Sequence, residues 1–411
     1  MLALTALSAS MAENVLPAKA EAQMLARVHK ILRQVPLIDG HNDVPWQYRK
    51  RSNDFSAIDL TADTSKLNPP MATDIRRLRA GCVGGQFWSV YISHSLSGPA
   101  AVKAVLEQID VVHYMVARYP ETFELASTAA DVERIHHHGK IASLIGMEGG
   151  QAIDNSLAML RMTYALGARY MTLTHVKNID WADAAGEKPE HHGLTPFGEE
   201  IVREMNRLGM LVDLSHVSDD TMRCALKVSK APIIFSHSSA RVMCDHPRNV
   251  PDDILKLTAA NGGIVMVAFV PGFIAETERR YSIGEKKEED RLKEQFSDDA
   301  KKQEDGIIIW RQSHPEPHTA KLSDVADHID HIRQVAGIDH IGLGSDFDGF
   351  SGGIAGLDDV SCYPALLAEL LRRGYSTSDI KKVAGLNLLR VLRAAEAVSA
   401  QLKRGRSLID R

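Results

Sequence analysis

Cysteine is scarce in this chain of 411 residues. The four cysteines are Cys82, Cys224, Cys244 and Cys362, and no Cys-x-x-Cys pair occurs. This wide spacing argues against a disulfide framework and against a thiolate metal site. We therefore expect four reduced thiols, most of them buried.

The chain also lacks a strong charge and a long apolar run. A net charge of −5 gives no reason to expect nucleic acid as a partner. No stretch of 18 apolar residues occurs, so no transmembrane helix is predicted. The tail of residues 401–411 is mostly polar and carries no readable lipid-anchor signal. The apolar fraction of 44% is ordinary for a globular protein and supplies an ample core.

The first 18 residues allow two interpretations. Residues 2–12 resemble the apolar end of a secretory signal, with small residues at Ser8, Ser10 and Ala12, but no basic segment precedes them. They form either a signal remnant or a helical lead-in. The first alternative places the protein in the periplasm or outside the cell, and the second places it in the cytoplasm.

Eight short apolar segments alternate with helical patterns along the rest of the chain. The predicted strands are 36–40, 83–92, 141–147, 169–174, 210–215, 232–236, 263–270 and 340–344. Eight such units favour a (β/α)8 TIM barrel, which we predict as a single domain over residues 19–400. A doubly wound open sheet is the alternative, but its glycine-rich phosphate loop is absent.

One change of composition interrupts this pattern. Residues 276–305, after the seventh predicted strand, are almost entirely charged or polar. We interpret this insertion as a solvated helical excursion without chemistry of its own. Such helical additions explain a length above that of a typical barrel.

Histidine and acidic residues stand at the ends of these strands, where (β/α)8 barrels place their active sites. His41 and Asp43 are two residues apart, so in an extended backbone their side chains point to the same side. The other candidates at strand ends are Glu148, His175, His216, His237 and Asp346. Arg248 follows the sixth strand, from where it either reaches a substrate anion or remains a surface cation.

Five of these residues are sufficient for two metal ions. They are His41, Asp43, Glu148, His216 and His237. Three imidazoles and two carboxylates suit two zinc-like ions with a bridging water. Glu148 is the natural bridge, because a carboxylate can span two ions and a neutral imidazole cannot. A hydrogen bond at a strand end explains any one histidine alone, but five potential ligands at one rim favour metal.

Other polar residues receive simpler interpretations. Residues 136–138 are three histidines at a helix end, and we expect them in solvent. His191 and His192 lie in a polar loop and are expected at the surface. Asp348 precedes Gly349 and is interpreted as a turn residue.

Over about residues 35–395 the chain resembles the renal (membrane) dipeptidase family of metal-dependent amidohydrolase barrels. The matching stretches, in the order of the family, are IDGHNDVPWQ, LRAGCVGGQFWSVY, IASLIGMEGG, YMTLTHVKNIDWAD, VDLSHVSDDTM, IIFSHSSAR, RNVPDD and GSDFDG. The resemblance implies one zinc ion on His41 and Asp43, a second on His216 and His237, and Glu148 shared between them. Glutamate then takes the place of the carboxylated lysine that bridges the metals in other amidohydrolases.

The resemblance also implies roles for the remaining candidates. His175 contacts the scissile carbonyl oxygen, Arg248 holds the C-terminal carboxylate of the substrate, and Asp346 faces its amino group and relays a proton. Three departures from the animal enzymes are visible. Val176 and Lys177 stand where some members have a cysteine, the charged segment is longer, and the anchor tail is missing.

The implied function is zinc-dependent hydrolysis of dipeptides by a hydroxide that bridges the two metals. The partner is then a small-molecule substrate, and a homodimer is the candidate assembly. One rival is a related amide hydrolase acting on N-acyl amino acids or β-lactam-like amides. The other rival is a barrel that binds metal without catalysis.

Overall fold

Nine strands lie in the part of the chain that the computed structural model describes, residues 18–404. They are β1 (Leu37–Asn42), β2 (Val83–Tyr91), β3 (Phe123–Leu125), β4 (Ile141–Glu148), β5 (Ala168–Thr172), β6 (Leu211–Asp213), β7 (Ile234–Phe235), β8 (Ile264–Val267) and β9 (Ile341–Leu343). All strands except β3 form one parallel barrel in the order β2-β1-β9-β8-β7-β6-β5-β4, closed by pairing of β2 with β4. The predicted (β/α)8 barrel is confirmed, and the open-sheet alternative is wrong.

Strand β3 was not expected from the sequence. It pairs with the first three residues of β4, starting at Ile141, whereas β5 pairs with β4 from Ile145 onwards. Only Phe123 of its three residues is buried. Its sequence, Phe-Glu-Leu, contains no apolar run that a sequence pattern can detect.

Alternate residues of the barrel strands pack on opposite sides. Leu37 and Val265 belong to one buried cluster, and their neighbours Ile38 and Ile264 belong to another. This period of two is what a barrel requires, with one set facing the surrounding helices and the other facing the interior.

The helices that follow or cover these strands are numbered in chain order. They are α1 (Ala18–Leu32), α2 (Val44–Lys50), α3 (Ile75–Ala80), α4 (Gly98–Arg118), α5 (Ala129–His137), α6 (Leu157–Ala165), α7 (Pro196–Leu208), α8 (Asp219–Val228), α9 (Asp252–Asn261), α10 (Pro271–Ile274), α11 (Glu276–Gln295), α12 (Ala300–Ser313), α13 (Leu322–Ala336), α14 (Tyr363–Arg372), α15 (Thr377–Lys381) and α16 (Asn387–Arg404). Helix α7 begins at Pro196 because the Thr195 side chain accepts a hydrogen bond from the Gly198 N–H and proline suits the first turn.

Helices α11 and α12 form the charged excursion after β8, the seventh barrel strand. The prediction of a helical excursion is confirmed, but it runs to Ser313 instead of residue 305. Leu292 is buried between the two helices, and a Cβ on Gly306 would lie 2.5 Å from its Cδ2 atom. Glycine at this position therefore allows the helices to approach each other.

Several other expectations concern single features of the chain. All four cysteines are free, but only Cys244 is buried, so the expectation of mostly buried thiols is wrong. No helix among residues 18–404 is long and apolar enough to cross a membrane. The proposed signal remnant or lead-in lies outside the described residues except for its last residue, and the polar tail does so from residue 405. The single domain stays a prediction.

Candidate metal centre at the C-terminal rim

All the predicted site residues lie at the C-terminal ends of the barrel strands or in the loops that follow. They are His41 within β1, Asp43 just after it, Glu148 at the end of β4, His175 after β5, His216 after β6, His237 and Arg248 after β7, and Asp346 after β9. Parallel strands carry their carboxyl ends to one edge. The barrel therefore brings together residues that are up to 305 positions apart in the sequence.

Glu148 stands at the centre of this group, and its two carboxylate oxygens face different partners. The Oε2 atom lies 3.4 Å from His41 Nε2, which is itself 3.3 Å from Asp43 Oδ2. The Oε1 atom lies 3.0 Å from His216 Nε2 and 3.5 Å from His237 Nε2. The two sets of three ligand atoms, each including Glu148, are compact enough to hold one ion apiece.

Asp346 lies closer to the ligands than the sequence suggested. Its Oδ1 atom is 3.8 Å from His41 Nε2, and with His41 and His237 it forms a third compact set of ligand atoms. Burial raises the pKa of Asp346 well above its usual range, and Asp43 and Glu148 act in the same direction. Bound dications would act in the opposite direction. Asp346 is thus placed to act either as a base or as an additional ligand.

The protonation of two of the three candidate histidine ligands fits a metal site. Burial lowers the pKa of His216 and of His237 well below its usual range, so both imidazoles are neutral, which is the form that binds metal. The Nε2 atom of His41 is buried and has no hydrogen-bond partner among the described residues. An orphaned ring nitrogen between carboxylates is the kind of group that a cation would satisfy.

His175 and Arg248 flank this centre. His175 Nε2 is 3.7 Å from Glu148 Oε1, and burial lowers the pKa of His175 to about 4, so its ring is neutral. Arg248 is only 7% exposed, so the interpretation as a surface cation is wrong. Its Nη atoms donate to Ser238 Oγ and to the His237 carbonyl, each at 3.3 Å, and its Nε atom is unpaired.

Burial lowers the pKa of Arg248 to about 10, so it is still a cation at neutral pH. A buried cation whose described hydrogen bonds go only to neutral oxygens is costly. A substrate carboxylate would offset that cost.

The backbone at the rim is irregular at three residues. His216, Asp346 and Asp348 adopt φ values of 71°, 68° and 67°, in the left-handed region that side chains with a Cβ rarely occupy. Such strained positions cluster at functional sites. Asp346 is held there because its N–H donates to the His41 carbonyl at 3.1 Å.

The simpler interpretations were only partly correct. Asp348 does lie in a turn, but it is buried, and its Oδ1 atom accepts a hydrogen bond from the Ala72 N–H at 2.7 Å. His136 and His191 are half-buried, while their neighbours in both histidine runs are exposed as expected. His136 lines a cavity of about 700 Å³ remote from the candidate metal centre, because helix α5 turns it towards β2.

Two residues behind the histidines were missed. Tyr170 Oη lies 2.9 Å from His41 Nδ1, and Ser236 Oγ lies 2.8 Å from His237 Nδ1. A polar atom inside an apolar strand is the only signal that the sequence offers for either residue.

Comparison with known proteins identifies the family. The model of the membrane dipeptidase family, peptidase family M19, matches residues 25–406. Dipeptidase 3 of Macaca fascicularis is 42% identical over 380 residues, which cover 91% of this chain and 68% of that protein. Dipeptidase verJ of Clonostachys rogersoniana is 40% identical over 392 residues, which cover 92% and 89%.

A solved structure supports the same relationship. A metallopeptidase described as dipeptidase AC is 25% identical, with a TM-score of 0.72 over 88% of this chain and 98% of that chain. The predictions of a peptide-bond hydrolase acting on dipeptides and of a metal cofactor are confirmed. The identity of the metal as zinc, the number of ions and the individual residue roles stay predictions. The chain belongs to the membrane dipeptidase family.

Proposed function

We propose that two zinc ions take part in the hydrolysis of dipeptides by this protein, with Glu148 between them. His41 and Asp43 would hold one ion, and His216 and His237 would hold the other. The observation that carries this assignment is the geometry of Glu148, whose two oxygens face the two sets of ligands separately. A glutamate that bound one ion alone would need to contact only one of the two sets of ligands.

Zinc bound by these residues would acidify a water molecule, so that hydroxide would be available near neutral pH. Around it, the chain contributes fixed groups. His175 is neutral and lies beside Glu148, so it can donate a hydrogen bond to a carbonyl oxygen that becomes an oxyanion. Asp346 lies beside His41 on the opposite part of the rim, and it would accept a proton and pass it to the departing amine.

Two further groups set the size of the substrate. Arg248 would bind the carboxylate at the C-terminus, and Asp346 would bind the ammonium at the N-terminus. Both are held by the barrel rim, so the substrate must carry both charges within one short molecule. A site of this kind prefers free dipeptides to proteins and to N-acyl amino acids.

A matched substrate panel tests this proposal. One dipeptide is supplied free, amidated at the C-terminus, and acetylated at the N-terminus, each with zinc-loaded protein. We expect the free form to have the highest kcat/KM and both blocked forms to lose affinity. Faster hydrolysis of the acetylated form would replace the proposal with an N-acyl amino acid hydrolase. Bound zinc without turnover of any amide would favour a binding barrel.

Assembly and location are separate proposals that rest on the sequence. A homodimer is tested by light scattering of the purified protein. The location depends on whether residues 1–18 act as a signal, which fractionation of cells with and without these residues would decide.

A further inference from the structure

Two of the three histidines among the proposed ligands are held from behind through their Nδ1 atoms. Behind His41 stands Tyr170, whose hydroxyl also lies 3.2 Å from the Gly40 carbonyl. A Cβ on Gly146 would lie 2.0 Å from Tyr170 Cζ, so glycine there leaves room for the tyrosine ring. Behind His237 stands Ser236, whose Oγ atom also lies 2.6 Å from Asp213 Oδ2.

Asp213 is fully buried and accepts four hydrogen bonds. Its Oδ1 atom accepts from the backbone N–H groups of Ser215 and Ser236, at 3.1 and 2.8 Å. Its Oδ2 atom accepts from the hydroxyls of Thr172 and Ser236, at 2.5 and 2.6 Å. Burial raises the pKa of Asp213, and the four hydrogen bonds oppose that shift. Donors occupy all the acceptor positions of the carboxylate, which is the arrangement of an ionised group.

This arrangement fixes the direction of the hydrogen bond between Ser236 and His237. A serine hydroxyl has one hydrogen, and Ser236 gives it to Asp213. Among the described residues, the other hydroxyl near it is Ser215 Oγ, which is farther away at 3.5 Å. Ser236 Oγ can then only accept from His237, so the ring proton of His237 stands on Nδ1. The lone pair on Nε2 is left facing Glu148 and His216.

We propose that Asp213 and Ser236 are positioning residues that fix His237 in the Nδ1–H tautomer required for a metal ligand. This inference rests on the proposed function, which makes His237 a ligand. The Asp213 carboxylate, which Ser236 connects to His237, also raises the basicity of the His237 ring, as partners behind metal-bound histidines commonly do. Tyr170 positions His41 in the same way, but its hydroxyl donates to the neutral Gly40 carbonyl instead of a carboxylate.

Asp213→Asn should reverse the hydrogen bond between Ser236 and residue 213, because only one orientation of the amide avoids placing its NH2 group against backbone donors. With its nitrogen in the place of Oδ1, it would face two backbone N–H donors. With its nitrogen in the place of Oδ2, it would donate to Ser236, whose hydroxyl would then turn towards His237 Nδ1. The ring proton would move to Nε2, the atom that must bind metal.

The primary test is Ser236→Ala, with Thr172→Val as its matched control. Both variants remove one hydroxyl from the same Asp213 oxygen, but only Ser236 contacts His237. Zinc affinity is measured on metal-loaded protein by competition with a chelator, and Tm is measured beside it. We expect Ser236→Ala to lose affinity by about 10–100-fold and Thr172→Val to lose much less at a similar loss of Tm. Equal affinities in the two variants would overturn the inference.

A second readout remains informative if Ser236→Ala does not fold. In protein labelled with 15N-histidine, the His237 ring should carry its proton on Nδ1 in the wild type and in Thr172→Val, but not in Asp213→Asn. An unchanged tautomer in Asp213→Asn would also overturn the inference. The proposed function fails separately, because it fails if the wild type itself binds no zinc.

Discussion

The barrel rim and the α11–α12 excursion are both rich in charged residues, but their charges stand in opposite surroundings. At the rim, Asp43 and Glu148 are only 4% and 5% exposed, and they share a small space with three imidazoles. In the excursion, Glu288 and Arg291 form an ion pair at 2.6 Å one helical turn apart, and Lys286 pairs with Asp290 at 2.7 Å. Solvent surrounds most of these side chains.

This difference indicates which charges we expect to have a function. Exposed pairs one turn apart contribute little, because water solvates each partner almost as well. At the rim, like charges lie close together, and the buried nitrogens His41 Nε2 and Arg248 Nε have no hydrogen-bond partner within the described chain. Such an arrangement is costly in a folded protein unless a bound ion or substrate completes it. The predictions below compare substitutions in the two regions.

Glu148→Gln should have the largest effect. A neutral amide cannot bridge two dications as a carboxylate does, so we expect the metal content to fall from about two per chain towards one or none. Hydrolysis of dipeptides should be abolished. Metal analysis and kcat on the same preparation check this, and a variant that keeps both ions with full activity would remove the bridge assignment.

Asp346→Asn should lower kcat by about 10²–10⁴, the usual scale for loss of a general base, with near-normal metal content. Asp348→Asn is the matched control two residues away, because its Oδ1 atom can still accept the hydrogen bond from Ala72. We expect that control to change kcat much less. Loss of zinc in Asp346→Asn would make this residue a ligand, and unchanged turnover would end its catalytic role.

Arg248→Lys should weaken substrate binding by about 1–3 kcal/mol, because a point charge replaces the planar fork that matches a carboxylate. The effect should appear mainly in KM. A dipeptide amidated at the C-terminus should be a poorer substrate for the wild type and should lose little more on the variant. Equal hydrolysis of free and amidated substrates by the wild type would exclude this role of Arg248.

Arg291→Ala in the excursion should have the smallest effect. It removes an exposed ion pair with Glu288, and we expect Tm, metal content and kcat/KM to stay within error of the wild type. A clear loss of activity would show that the charges of the excursion contribute to the site, against the contrast drawn above.

The sequence was sufficient to predict the barrel and the residues that lie at its rim. Six of the eight barrel strands end at or just before a polar candidate residue. Parallel strands carry their ends to the same edge, so His41 and Asp346 could be placed together without coordinates. The burial of Arg248 could not be predicted, because a loop residue shows no periodicity. Its position depends on contacts with Ser238 and the His237 carbonyl that form only in the folded chain.

The residues that contact the Nδ1 atoms of the histidines could not be predicted from the sequence either. Tyr170 reaches His41 across 129 positions of sequence, and the space for its ring depends on a glycine in the neighbouring strand. Thr172 and Asp213 meet because β5 and β6 pair in register. Sequence patterns predict which strands exist and where they end, but they do not predict which side chains meet inside the barrel.

The most direct test of the account is the zinc content of the purified wild-type protein, measured together with its hydrolysis of one free dipeptide. The account predicts about two ions per chain, loss of activity when a chelator removes them, and recovery when zinc is restored. Full activity after complete removal of metal, or full activity with a single ion per chain, would contradict it.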